Sequence, residues 1–84
     1  MKIIKYAGKS CVKCKALDRI LEQVDLPCAV DVRYVEDFGQ DSPEFSEITT
    51  MPTLKFIGDN NNSVTLTGMQ SPNAIKEAIL QVQG

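Results

Sequence analysis

The 84-residue sequence predicts a single α/β domain, residues 1–84, in which helices flank a four-stranded mixed sheet. Two β-rich segments near the N-terminus enclose an amphipathic segment, which is the pattern of a βαβ unit with parallel strands. Two later β-rich segments enclose a run of Gly, Asp and Asn residues, as in an antiparallel hairpin. A further amphipathic segment ends the chain. Together these segments give the element order β-α-β-α-β-β-α.

The first strand is predicted at Lys2–Ala7, which contains three residues that favour strands, Ile3, Ile4 and Tyr6. A helix should begin near Cys11, because apolar residues then recur at intervals of three and four: Val12, Ala16, Leu17, Ile20, Leu21 and Val24. Ser10 can cap the start of this helix, and Asp25-Leu26-Pro27 should end it.

The second strand is predicted from Cys28 to Val35, where apolar and charged side chains alternate. An acidic stretch follows it. Within that stretch, Ser42 as a cap and Pro43 at the first helical position predict a short helix that runs to about Ile48.

The hairpin is predicted to consist of a third strand at Thr53–Ile57 and a fourth strand around Val64 and Leu66, joined by the turn-forming residues 58–62. Ser71 and Pro72 again resemble a cap followed by a first-turn proline. The last helix then carries an apolar stripe that consists of Ala74, Ile75, Ala78, Ile79 and Val82. We expect the aromatic residues Tyr6, Phe38, Phe45 and Phe56 in the core, with Cys28 as a small buried filler.

The composition, 43% hydrophobic and 24% charged with a net charge of −2, is that of an ordinary soluble domain. No apolar run approaches the roughly 20 residues that span a bilayer, and the N-terminus lacks a signal-peptide pattern, so we expect no membrane association. Three cysteines are too few for a secreted disulfide scaffold, which favours a reducing, cytoplasmic location. The pI near 4.9, without aromatic residues among the lysines, argues against nucleic-acid binding. We expect a monomer.

Charge is unevenly distributed along the chain. Residues 1–20 contain six basic residues against Asp18, whereas residues 36–47 contain five acidic residues and no basic one. We interpret the acidic stretch as a solvated face. The basic end surrounds a pair of cysteines, where it is either another solvated face or an aid to thiolate formation and partner steering.

That cysteine pair, Cys11-Val12-Lys13-Cys14, is the motif that predicts chemistry. The free N–H groups and the dipole at a helix N-terminus favour an anionic sulfur, and the thiolate is the form that attacks disulfides. Cys11 is nearer the helix end and is the expected nucleophile. Cys14 lies one turn inside, where it can resolve a mixed disulfide. Lys9 and Lys13 add positive charge that would tune the thiolate.

The same spacing is also compatible with metal binding or with coincidence. Paired cysteines form half of a zinc site, but the chain has no histidine and only Cys28 to add, so a zinc site within one chain is disfavoured. A metal cluster shared between two chains is a further possibility. The remaining alternative is coincidence, in which the motif consists of two unrelated buried cysteines.

The second motif is Thr50-Met51-Pro52-Thr53. A proline at the first residue of a strand is unremarkable by itself. A cis Met51–Pro52 bond is the sharper hypothesis, because it would leave the Met51 backbone free to pair with an extended substrate. Gly68, a turn glycine, would sit where a substrate backbone can also approach.

The two motifs in this register resemble the thioredoxin/glutaredoxin superfamily over essentially the whole chain. The resemblance implies a thioredoxin fold with sheet order 2-1-3-4, a cis proline at Pro52 beside the dithiol, Cys11 as exposed nucleophile and Cys14 as resolving thiol. We expect the backbone of Met51, Pro52 and Gly68 to hold the substrate segment. The length is similar to that of glutaredoxins, whereas Pro52-Thr53-Leu54 and the single Gly68 look more like thioredoxin.

The sequence also departs from the family. Val12-Lys13 replaces the Gly-Pro of thioredoxins, and Gly8-Lys9-Ser10 replaces their tryptophan. The acidic residue that thioredoxins bury beneath the dithiol would fall near Lys5, where none exists. The run Gly68-Met69-Gln70-Ser71 lacks the second glycine and the acid with which glutaredoxins bind glutathione.

We therefore expect a small dithiol–disulfide oxidoreductase that needs no bound cofactor, because both electrons reside on the sulfurs of Cys11 and Cys14. Its partners would be disulfide-containing proteins and a regenerating partner, either a reductase of the thioredoxin reductase type or glutathione. One alternative is a glutathione-dependent glutaredoxin or a carrier of a glutathione-ligated iron–sulfur cluster. The other is a non-catalytic binding module with a structural cysteine pair.

Overall fold

The computed structural model describes residues 1–83 and contains the predicted order of strands and long helices. The elements are β1 (Lys2–Ala7), α1 (Val12–Glu22), β2 (Val30–Tyr34), α2 (Val35–Phe38), β3 (Thr53–Ile57), β4 (Ser63–Thr67) and α3 (Pro72–Gln83), with one 3-10 turn at Pro43–Phe45 before β3.

The four strands form one mixed sheet in the order β2-β1-β3-β4, which confirms the expected topology. β1 pairs with β2 in parallel, with Lys5 opposite Val32. β1 pairs with β3 antiparallel, with Lys5 opposite Leu54, and β3 pairs with β4 as a hairpin. The start of α1 therefore lies at the end of the central strand β1, where the chain enters the dithiol motif.

Alternation along the strands gives the sheet two different faces. One face packs against α1 and α3 in the main core, which contains ten buried residues: Ile3, Leu17, Leu21, Val24, Leu54, Phe56, Ile75, Ala78, Ile79 and Val82. The other face has a small cluster of Ile4, Tyr6 and Phe45 under the segment between β2 and β3. Tyr6 and Phe45 pack edge to face with ring centroids 5.4 Å apart, and Tyr6 is buried in the core as expected.

Several predicted boundaries are wrong. Helix α1 ends at Glu22, before the predicted Asp25-Leu26-Pro27 stop, and β2 is shorter than the predicted Cys28–Val35. The helix expected from Pro43 to Ile48 is a single 3-10 turn, and residues Val35–Phe38 form a short helix that was not predicted from the sequence. Both differences arise because segments of three or four residues are too short to show a helical period.

Three side chains are less buried than predicted. Val12 is 81% exposed although it fits the apolar period of α1, because the buried face of that helix is the one that carries Cys14, Leu17 and Leu21. Phe38 is 44% exposed and stacks loosely on Phe45. Cys28 is half-buried at the margin of the main core and is a free thiol.

The loop between β3 and β4 packs tightly on the last turn of α3 at Gly58. A Cβ at this position would overlap the carbonyl oxygen of Val82 and lie 3.2 Å from its carbonyl carbon. Backbone atoms cannot move aside as a flexible side chain can, so we expect Gly58→Ala to lower the free energy of unfolding by about 1–3 kcal/mol. Urea unfolding of the two proteins would measure this. Gly39→Ala is the control: Gly39 has φ +91°, so alanine strains the backbone there, but no atom lies within 4 Å of a Cβ for it to overlap.

A Gly58→Ala protein as stable as the parent would show that the loop and α3 are not in the contact described.

None of the helices within residues 1–83 has the length and apolar character needed to cross a bilayer.

Candidate active site

The dithiol lies at the N-terminus of α1, where the two sulfurs are bonded to each other. The Cα atoms of Cys11 and Cys14 are 5.2 Å apart, so one helical turn spans the disulfide. Cys14 is 2% exposed, whereas Cys11 is only half-buried. Cys11 is thus the more accessible sulfur, and Cys14 lies behind it.

Cys11 is itself the N-cap of α1, in place of the predicted Ser10. Its Sγ atom accepts a hydrogen bond from the backbone N–H of Cys14 at 3.1 Å, which satisfies one of the free donors of the first turn. The Cys11 N–H in turn donates to the carbonyl of Gly8 at 3.3 Å. Since a hydrogen bond to an anion is stronger than one to a neutral atom, this geometry favours a Cys11 thiolate.

Two acidic side chains of α2 hold the loop that precedes the dithiol. The Glu36 carboxylate accepts from the Lys9 backbone N–H at 3.1 and 3.3 Å, and the Lys9 ammonium pairs with Asp37 at 2.8 Å. The hydrogen bond to Asp37 raises the pKa of Lys9. Glu44 likewise pairs with Arg33. Four of the five acidic residues in the stretch are exposed, as a solvated face requires, and these three also form specific pairs.

The contacts of Lys9 with Glu36 and Asp37 change how strongly Lys9 and Lys13, the two predicted tuning lysines, can stabilise a thiolate. Half of the Lys9 side chain is exposed, and its charge is shared with Asp37, which reduces its effect on a nearby sulfur. Lys13 lies between the cysteines, is exposed, and makes no ion pair within residues 1–83. Of the two, Lys13 keeps the less compensated charge.

Met51 and Pro52 approach the same loop from the start of β3. The Met51–Pro52 bond is cis, as expected. A Cβ placed on Gly8 would lie 3.6 Å from the Cys11 Cβ and 3.9 Å from the Met51 Sδ, so both side chains flank the backbone at Gly8. The N–H of Gly68 donates to the Pro52 carbonyl at 2.8 Å. The structure thus brings Met51, Pro52 and Gly68 to the end of the sheet that holds the dithiol.

Gly68 has φ +76°, a region that side chains disfavour, and no atom lies within 4 Å of a Cβ at this residue. The space above it is open. The glycine is therefore required by the turn and also leaves room for another chain.

Lys5 contacts the dithiol motif from β1, although no role in the site was predicted for it from the sequence. Its side chain is 2% exposed, yet its ammonium donates to the Cys14 carbonyl at 2.9 Å and pairs with the Asp18 carboxylate. The alternation of β1 could have placed Lys5 on the helix-facing side with Ile3 and Ala7. The partner Asp18 lies 13 residues away, where no sequence pattern connects the two.

A cavity of about 380 Å³ lies on the other face of the sheet and contains neither cysteine. Its charged lining includes Lys2, Arg33, Glu44 and Lys55. Burial, followed by the nearby Glu44 charge, raises the pKa of Tyr6 in its wall. Within residues 1–83, no three cysteine or acidic side chains are grouped so that they could hold a metal ion.

Comparison with known proteins agrees with this architecture. The crystal structure of the thioredoxin of Malassezia sympodialis, described as a member of a new pan-allergen family, superimposes with a TM-score of 0.70. The two sequences are 26% identical, and the match covers 98% of this chain and 74% of that one. No family model matches the sequence, and no curated protein matches it. The sheet order, the dithiol at the start of α1 and this structural match make the chain a member of the thioredoxin-like superfamily.

Proposed function

We propose that the chain is a small protein dithiol–disulfide oxidoreductase. The observation on which this rests is the half-buried Cys11 sulfur at the N-terminus of α1, bonded to Cys14 and hydrogen-bonded to its N–H. A structural disulfide gains little from a helix-end position. A sulfur that must alternate between a disulfide and a thiolate gains a stabilised anion there.

In the first step, the Cys11 thiolate attacks one sulfur of a substrate disulfide. The bond between Cys11 and that sulfur forms while the substrate S–S bond breaks, and the other substrate sulfur leaves as a thiolate that takes a proton from water. The product is a mixed disulfide. No net electron transfer is complete at this point.

In the second step, Cys14 loses its proton and attacks the Cys11 sulfur. The Cys11–Cys14 bond forms, the mixed disulfide breaks, and the second substrate sulfur leaves as a thiol after protonation. Two electrons have then passed from the dithiol to the substrate. The 5.2 Å separation of the two Cα atoms allows this closure without a change in the helix.

The substrate segment would bind across the end of the sheet beside Cys11. The backbone of Met51 offers an edge to an extended chain, while the Pro52 carbonyl is already bonded to the Gly68 N–H and Gly68 leaves open space next to that edge. Val12, which follows Cys11, and Met69, which follows Gly68, add exposed apolar surface, at 81% and 43% exposure. These features favour a disulfide in an extended, partly apolar protein segment.

The helix-end position predicts a Cys11 pKa below that of a free thiol, which is about 8.5. Iodoacetamide alkylation rates against pH would measure it in the reduced protein. A Cys28→Ser background removes the free third thiol from the signal. A midpoint at or above about 8.5 would contradict the argument from the helix end.

The direct test of the function is reduction of insulin disulfides by catalytic amounts of the protein with dithiothreitol as electron source. We expect turnover well above the blank. To identify the regenerating partner, the oxidised protein is mixed with either thioredoxin reductase and NADPH or reduced glutathione. The partner is the one that restores two thiols. Rapid reduction of a glutathione mixed disulfide, or an iron–sulfur absorption spectrum, would favour the glutathione-dependent alternative. No turnover with any disulfide would favour a binding module.

A further inference from the structure

A buried lysine ammonium next to a redox-active cysteine is unusual, because a charge is costly to bury unless its partners compensate it. Lys5 is 2% exposed and lies in the central strand, between β2 and β3. Its ammonium has two partners, the Cys14 carbonyl at 2.9 Å and the Asp18 carboxylate. Both partners belong to α1, and one of them is the residue that closes the disulfide.

The two charges of the pair differ in their exposure to water. The Asp18 side chain is 53% exposed, so solvent screens its charge, whereas the Lys5 side chain is enclosed by the sheet and α1. The positive end of the pair is also the end that contacts Cys14. The pair therefore turns its less screened, positive end toward the dithiol motif.

The dithiol changes its charge during its own reaction. The Cys11–Cys14 disulfide is neutral, while the reduced form with a Cys11 thiolate carries one negative charge. A fixed cation near the pair stabilises the charged form more than the neutral one. It should therefore favour both thiolate formation and the reduced state.

We propose that Lys5 is a positioning residue that sets the thiolate stability and the redox equilibrium of the dithiol through its contact with Cys14. This inference rests on the proposed exchange function. In this chain, a buried cation on β1, balanced by a half-exposed acid on α1, contacts the backbone of the resolving cysteine.

The other charged groups around the dithiol do not supply the same effect. Lys9 is paired with Asp37, and Glu36 is bound to the neutral Lys9 N–H, so these three side chains together carry one net negative charge, which opposes a thiolate. Lys13 on α1 is exposed to water. Lys5 is thus the charged group most shielded from solvent in contact with the motif.

The test is Lys5→Met in a Cys28→Ser background, because methionine keeps an unbranched apolar stem and removes only the ammonium. We expect the alkylation midpoint of Cys11 to rise by about one pH unit, a tenfold loss of thiolate near neutral pH. The equilibrium with glutathione should shift up to about tenfold toward the disulfide, which lowers the reduction potential by up to about 30 mV.

Lys55→Met is the matched control, since Lys55 lies on β3 but lines the cavity on the opposite face of the sheet. It removes the same charge and should leave both measurements unchanged. Equal shifts in the two variants would overturn the proposal in favour of a general charge effect. An unchanged alkylation midpoint of Cys11 in a folded Lys5→Met protein would show that Lys5 has only a structural role and would overturn the proposal.

Asp18→Asn supplies a second, independent test with the opposite sign. Asparagine keeps a side-chain oxygen that can accept from the Lys5 ammonium, so the lysine loses the opposing charge but keeps a hydrogen-bond partner, and circular dichroism checks the fold. Loss of the opposing negative charge should lower the alkylation midpoint of Cys11, and an unchanged or raised midpoint would overturn the proposal. Alkylation needs no turnover, so this result is independent of whether the parent protein reduces insulin. A parent that fails to reduce insulin would instead count against the function.

Discussion

Replacing Cys11 with serine is expected to lower disulfide reduction to the rate of the uncatalysed reaction. A serine hydroxyl does not ionise near neutral pH, so it cannot supply the anionic nucleophile that the first step requires. Cys14 cannot substitute for it, because its side chain is 2% exposed behind the first turn of α1. The measurement is the initial rate of insulin reduction at equal protein concentration, with folding checked by circular dichroism.

Cys28→Ser is the matched control for the loss of one thiol. Cys28 is half-buried at the margin of the main core and lies outside the dithiol motif, so its removal should leave the rate unchanged. Retained activity in Cys11→Ser would assign the reaction to another group and reject the proposed mechanism. A loss of equal size in Cys28→Ser would show that the assay reports stability instead of chemistry.

Replacing Leu17 with alanine is expected to lower the free energy of unfolding by about 2–5 kcal/mol. Leu17 is fully buried where α1 packs on the sheet, and its truncation leaves a cavity that the neighbours cannot fill completely. Native domains have a total stability of about 5–15 kcal/mol, so the variant should lose a substantial fraction of its stability. Urea unfolding followed by circular dichroism gives the midpoint and slope.

Leu80→Ala makes the same chemical change at a different place. Leu80 is 66% exposed on α3, so little apolar surface returns to water, and alanine is a good helix former. We expect a change within about 0.5 kcal/mol. Similar effects of the two substitutions would show that α1 does not pack on the sheet as described, and the position of the dithiol would lose its structural basis.

The sequence predicted the parts of the fold that repeat a local pattern. The bounds of β1 and β3 are as expected because each segment has β-branched or aromatic residues between clear turn residues. Helix α1 starts one residue later than a Ser10 cap would place it, since serine and cysteine are both able to accept the N–H bond. Only the structure distinguishes between them.

The sequence did not predict the contacts between distant residues that complete the site. The Lys5 pair with Asp18 and the Lys9 pair with Asp37 join residues 13 and 28 positions apart. No local propensity records such contacts, because they depend on how α1 and α2 pack around the end of β1. The position of Lys5 within an apolar strand nevertheless indicated that it would need a partner, because a buried ammonium requires one.

The central claim, that Cys11 attacks and Cys14 resolves, is tested most directly in Cys14→Ser with Cys28 also replaced by serine. The reduced protein is mixed with a disulfide-containing peptide, quenched with acid, and examined by mass spectrometry after digestion without reductant. We predict a stable mixed disulfide between the peptide and Cys11, because nothing remains to resolve it. The protein recovered without any peptide attached would contradict the account.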